Sequence, residues 1–201
     1  MAYGAVAVGS GLSVAQAVVL SLVLFTGASQ FAFIGVVAAG GFPFAAVPAA
    51  LLLGVRNAFY GVPLSQILQP RGWWRRLSTA HFVIDETTAM AVGQPTRATQ
   101  RYAFWATGLI LFPLWQLGSL TGALIGTAID PAEFGLEAAA PAVFLALLWP
   151  ALRRRNGRLV ALAGAAVALA LVPVAPAGVP VIAAAAVALV AGLLPRRTVG
   201  S

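Results

Sequence analysis

Arg56, His81, Asp85 and Glu86 are ionisable side chains set in sequence that is otherwise almost wholly apolar. Such a group is costly in apolar surroundings, so it is a candidate functional residue by default. Arg56 could hold a carboxylate, because a guanidinium offers a planar, bidentate fork. Asp85 and Glu86 could accept an ammonium group or carry a proton. His81 titrates near neutrality and could join a proton relay. His81 and Asp85 are four residues apart, which places them on one face of a continuous helix, with Glu86 turned about 100° away. A third element is Gly27-Ala28-Ser29-Gln30, small and polar in the middle of an apolar run. It fits a discontinuous helix whose exposed amides face a carboxylate, with Gln30 adding a neutral donor and acceptor.

Each group also has a plainer reading. Arg56 lies about 20 Å along a helix from Pro43, from where its side chain could snorkel to the membrane surface. His81, Asp85 and Glu86 could form the wet face of an interfacial helix, or Asp85 could cap a short helix beginning there. Gly27 to Gln30 could be a close helix contact.

The elements that must position these residues are membrane helices. Hydrophobic residues make up 61% of the 201-residue chain and charged residues only 8%; soluble domains have roughly 45–50% apolar residues. At about 20 residues per crossing the length allows roughly seven to nine crossings and leaves no room for a soluble catalytic domain. There is no cysteine and only one histidine, so no disulfide, thiolate or histidine-rich metal chemistry is expected, and no cofactor. The net charge of +7 comes from twelve basic residues, all arginine. They cluster in short loops, which is an orientation signal for membranes and not a nucleic-acid footprint.

Eight apolar segments follow. The first, Ala2–Val8, reads as the tail of a longer helix, and no cleavable signal peptide is evident. The second is Val14–Ala39. The third, Pro43–Leu68, carries Arg56, Asn57 and Tyr60 and is followed by a loop, Pro70–Arg76, with interfacial Trp73 and Trp74. The fourth, Leu77–Val92, is short and holds His81, Asp85 and Glu86. A polar loop from Gly93 to Arg101 leads to the fifth, Tyr102–Ala128, and an acidic loop starts at Asp130. The sixth is Leu136–Leu152, followed by the basic loop Arg153–Arg158. Leu159–Val172 and Val179–Leu194 form a hairpin of packing helices, followed by Arg196-Arg197. Placing the arginine loops in the cytoplasm requires the fourth segment to enter and leave on one side. A segment this short can be re-entrant if protein or water surrounds it. The expected fold is therefore all-α, a polytopic integral membrane helical bundle in a single domain, residues 1–201. It should contain a short re-entrant or broken segment and discontinuous helices.

In order along the chain, Phe25-Thr26-Gly27-Ala28-Ser29-Gln30-Phe31, Arg56-Asn57 with Tyr60-Gly61, Asp85-Glu86-Thr87, Trp115-Gln116-Leu117-Gly118-Ser119 and Gly135-Leu136-Glu137 with Pro141 resemble the AzlC-type large subunit of the branched-chain amino acid exporter family. The resemblance covers roughly Tyr3 to Leu194. It implies one half of a two-component exporter that works with a small AzlD-type membrane subunit in the bacterial cytoplasmic membrane and moves branched-chain or other hydrophobic amino acids outward. The proton gradient is the expected energy source, and the chain has no Walker-type phosphate loop.

An amino acid zwitterion needs an acceptor for its ammonium and a donor for its carboxylate. Asp85 or Glu86, with His81, could serve the first or the coupling proton. Gly27, Ser29, Gln30, Arg56, Asn57 and Tyr60 are the substrate-binding candidates. Two other classes compete. In a purely structural assembly subunit, these charges would bind a partner helix. An intramembrane hydrolase would need a nucleophile with a base, paired aspartates or a metal set, and none is framed here. No enzymatic activity is expected.

Overall fold

The computed structural model describes residues 1–128, 135, 138–176 and 178–193. The acidic loop from Asp130, Glu137 and the Arg196-Arg197 pair lie outside the described residues. Among those described there are ten α-helices and no strands. They are α1 (Ala2–Gly9), α2 (Val14–Val23), α3 (Gly27–Ala38), α4 (Pro43–Leu68), α5 (Trp73–His81), α6 (Asp85–Val92), α7 (Arg97–Gly126), α8 (Ala139–Leu152), α9 (Arg155–Leu171) and α10 (Val179–Leu193).

Two of them, α4 and α7, are long and apolar enough to cross a membrane. α4 has 26 residues and α7 has 30, about 39 and 45 Å at 1.5 Å per residue. α4 starts with Pro43 in its first turn, where the missing N–H is not needed. Its large side chains point outward: Phe44 is 77% exposed and Phe59 71%. An apolar surface of this extent belongs against lipid.

α7 is the central post. α1 lies against it where Gly118, Gly122 and Gly126 recur every fourth residue. A Cβ at Gly122 would overlap the backbone of Met1, and one at Gly126 would come 2.8 Å from Ala5 Cα. Small residues at this spacing let two backbones touch, which is how helices gain packing energy in lipid. α2 joins the same post: Ser21 Oγ donates to Ser119 Oγ at 3.1 Å, and Gln116 Nε2 donates to the Ser21 carbonyl at 3.1 Å. The Tyr3 hydroxyl donates to the Ala17 carbonyl at 2.8 Å and ties α1 to α2. α3 packs chiefly on α4, α6 on α7, and α9 pairs with α10 as the expected hairpin.

Several sequence-based boundaries are corrected. The second segment is two helices, interrupted at Leu24–Thr26. The fourth is also two helices, interrupted at Phe82–Ile84, and its first helix begins at Trp73, within the expected loop. His81 and Asp85 therefore share no helix face. Asp85 is not a cap; Ile84 is the N-cap and Asp85 the first helical residue. α7 begins at Arg97 rather than Tyr102, because Thr96 and Thr99 cap each other across its first turn. α9 begins at Arg155, which shortens the basic loop to Arg153-Arg154. At 9 and 8 residues, α5 and α6 are each shorter than half a bilayer core of about 30 Å.

Candidate functional site

The interruption between α2 and α3 creates the site's first wall. Thr26 is extended (φ −150°, ψ 108°) and α3 starts at Gly27. The Thr26 amide turns back on the Leu24 carbonyl at 2.8 Å. Within α3 the first amide to bond back along the chain is that of Gln30, to the Thr26 carbonyl at 3.2 Å. The preceding amides, with the positive end of the helix dipole, are thus presented at the break. The Trp115 indole lies over this turn, and a Cβ at Gly27 would sit 3.1 Å from its ring edge. The indole Nε1 donates to Gln30 Oε1 at 3.1 Å, which fixes the ring.

The second interruption brings the carboxylates. Thr87 is fully buried and its side-chain oxygen holds the turn at Phe82–Ile84: it donates to the Phe82 carbonyl at 2.6 Å and accepts from the Ile84 amide at 3.1 Å. Phe82 fits against α7 because position 108 is glycine; a Cβ there would come within 2.9 Å of its ring. Asp85 and Glu86 then occupy the first turn of α6, where negative charge is favoured.

Arg56 comes in from α4. Its Nη1 is 3.1 Å from Asp85 Oδ2, and both side chains are about 30% exposed (30% and 31%). It is thus a paired cation, and the snorkelling reading is set aside. Arg56, Asp85 and Glu86 line one cavity of about 210 Å³ together with Thr26, Gly27 and Ala28. Phe25, Phe31, Leu111 and Trp115 supply apolar walls. At about 30 Å³ per water the space is some seven waters, enough for a small zwitterion and below the range of drug-sized pockets.

Buried polar atoms without partners are Thr26 Oγ1 and Arg56 Nε, on residues that line the cavity, and Ser29 Oγ, Gln30 Nε2, Asn57 Oδ1 and Gln116 Oε1, on residues that do not. Folded chains rarely leave buried polar atoms unpaired, so a cluster of them marks a place where water or a ligand supplies the missing bonds. All six lie on the break, α3, α4 or α7.

The candidates thus fall into three groups. Gly27, Arg56, Asp85 and Glu86 line the cavity. Ser29, Gln30 and Asn57 stand behind it as unsatisfied polar groups. Tyr60 and His81 stand elsewhere: Tyr60 packs on the cluster of Leu64, Val83, Ala91 and Phe104, and His81 stacks on Phe25 with ring centroids 5.9 Å apart and meets Phe112 edge-on. Thr26, Phe25, Phe31, Leu111 and Trp115 line the cavity without having been site candidates. Leu111 and Trp115 are four residues apart on a helix with Pro113 between them, and that spacing was the available signal. Among the described residues no three His, Cys, Asp or Glu side chains gather as a metal set.

Comparison with known proteins agrees with this architecture. Residues 1–129 match the family model described as AzlC protein. The chain is 30% identical over 174 residues to the inner membrane protein YgaZ of Escherichia coli strain K12, covering 82% of this chain and 71% of that protein. It is 26% identical over 168 residues to an uncharacterized membrane protein of Helicobacter pylori strain J99, covering 83% and 73% of the two chains. No solved structure matches. The matched region runs from α1 to the end of α7 and contains both helix breaks and every residue lining the cavity; this helical membrane protein belongs to the AzlC family.

Proposed function

We propose that the chain is the large subunit of a two-component secondary transporter that exports branched-chain and other hydrophobic amino acids. It would act as a multi-pass protein of the bacterial cytoplasmic membrane, coupled to protons and completed by a small AzlD-type subunit. The observation that carries this reading is the composition of the 210 Å³ cavity: a guanidinium, two carboxylates and a helix N-terminus, closed by aromatic and aliphatic walls. The charges match a zwitterion and the walls match a hydrocarbon side chain. A helix interrupted at its middle, with its amides turned to an anionic group, is how many transporters build a substrate site.

The fixed cost of burying two opposite charges is lowest when each meets a partner, and a free amino acid brings both. The Arg56–Asp85 pair neutralises two of the cavity's three charges and leaves Glu86 unpaired. Ser29, Gln30 and Asn57 would strengthen the site through water or direct contact. His81 does not line the cavity but stacks on Phe25, which does, and this contact is what supports a proton-relay role for it.

The test is efflux of labelled valine from preloaded cells that express this chain with a small AzlD-type subunit. The expected result is faster efflux than with either subunit alone, abolished by Glu86→Ala. Equal efflux with and without the pair would refute the transport reading.

A further inference from the structure

We infer that the two adjacent carboxylates have different jobs: Glu86 receives the substrate ammonium, while Asp85 positions Arg56 to receive the substrate carboxylate. This rests on the transport reading and assigns roles within its site.

The geometry separates the two acids although they are neighbours in sequence. Asp85 is bonded to Arg56 through Nη1 at 3.1 Å. Glu86 lines the same cavity, yet among the described residues no basic group lies within ion-pair distance of it. A carboxylate already neutralised by a guanidinium attracts a second cation weakly. Glu86 is exposed and screened by solvent, but with no cation of its own it keeps its whole charge for a ligand ammonium. The ammonium therefore belongs to Glu86.

The Arg56 side of the bridge carries the second half. A guanidinium presents its bidentate edge through Nε and Nη2, and Nη1 lies off that edge. Asp85 has taken only Nη1. Nε is buried and without a partner. Asp85 leaves Nε and Nη2 unengaged, so a ligand carboxylate that displaces what covers the buried Nε docks on that edge while the bridge to Asp85 stays whole. Asp85 then fixes the rotation of the guanidinium and need not touch the substrate. Arg56 on α4, Glu86 on α6 and the amides of Gly27 and Ala28 on α3 all face the same space, so both ends of one small zwitterion can be held together.

The experiment is calorimetric titration of the full chain together with its small AzlD-type subunit in lipid nanodiscs with three ligands: leucine, isocaproate (leucine without its ammonium) and isoamylamine (leucine without its carboxylate). Glu86→Gln should weaken leucine and isoamylamine by about tenfold, the scale of one charge-assisted hydrogen bond, and leave isocaproate unchanged. Asp85→Asn should weaken leucine and isocaproate and leave isoamylamine unchanged, a split that a purely structural role for Asp85 would not produce. Glu86→Asp keeps the charge and should restore part of the isoamylamine affinity, which guards against a fold defect in the Gln variant. Wild type that binds leucine while Glu86→Gln binds it equally well overturns this assignment alone, as does a loss of isoamylamine in Asp85→Asn. Wild type that binds none of the three overturns the transport reading together with the assignment.

Discussion

Thr87 is the side chain on which the position of both carboxylates depends, and its replacement by valine is the sharpest test of the site's construction. The residue is 0% exposed. Its hydroxyl donates to the Phe82 carbonyl at 2.6 Å and accepts from the Ile84 amide at 3.1 Å. Valine fills nearly the same volume, so no cavity opens. What changes is that two backbone groups in the interruption between α5 and α6 lose their partner. Each buried, unsatisfied group costs about 1–3 kcal/mol, and partial relaxation of the turn brings the pair to about 2–4 kcal/mol. For a chain of this size that corresponds to a fall in Tm of roughly 5–15 °C on the scale of soluble domains. The measurement is thermal unfolding of the purified protein in detergent, followed by tryptophan fluorescence. Thr87→Ser, which keeps the oxygen and loses a methyl group, should fall less than Thr87→Val. A valine variant that melts with the wild type would show that the turn does not need the hydroxyl. So would a serine variant that melts below the valine variant.

The glycine face of α7 gives a second expectation: Gly122→Leu should elute as aggregate on size exclusion, because its side chain would occupy the space of the Met1 backbone, whereas Gly35→Ala, with nothing within 4 Å of the new atom, should elute as wild type. The ion pair gives a third. In thermal unfolding, the effects of Arg56→Met and Asp85→Asn should sum to more than that of the double variant, by a coupling of about 1 kcal/mol, since the pair is partly exposed and screened. Strict additivity would mean that the two groups do not interact in solution.

Much of the frame was legible in the chain. α4 runs from Pro43 to Leu68 as expected, because a proline begins it and the apolar run ends before Pro70. The break before Gly27 announced itself through small and polar residues inside an apolar run. The second break did not. Phe82-Val83-Ile84 contains neither glycine nor proline, and its β-branched pair reads as an ordinary stretch of buried helix. What interrupts the helix there is the Thr87 oxygen and the space left by Gly108 on another helix. The sequence predicts a re-entrant or broken segment there, but leaves the place of the break open between a continuous helix, which would set His81 beside Asp85, and a helix start at Asp85. Arg97 and Arg155 were read as loop for a related reason: charge at a helix start looks the same as charge in a connection. Trp115 was visible as part of a motif, but its pairing with Gln30, 85 residues away in sequence, was not. Arg56 could be recognised as a cation that needed a partner, but the choice of Asp85 depends on how α4 and α6 meet.

The interruption at Leu24–Thr26 has a mechanical consequence. α2 is fastened to α7, while α3 is fastened to α4. The two halves of one former span thus lean chiefly on different bodies, joined by three residues with no helical ladder, yet Phe31 and Ile34 of α3 also pack with α1 and α2 and Gln30 bonds Trp115 of α7. Between those bodies runs a thin seam, since α4 meets α6 and α7 over little surface. The Arg56–Asp85 bridge closes across that seam like a clasp, one jaw on α4 and the other on α6. Any opening that carried α3 away with α4 would therefore also part Phe31 and Ile34 from α1 and α2 and break the bond between Gln30 and Trp115.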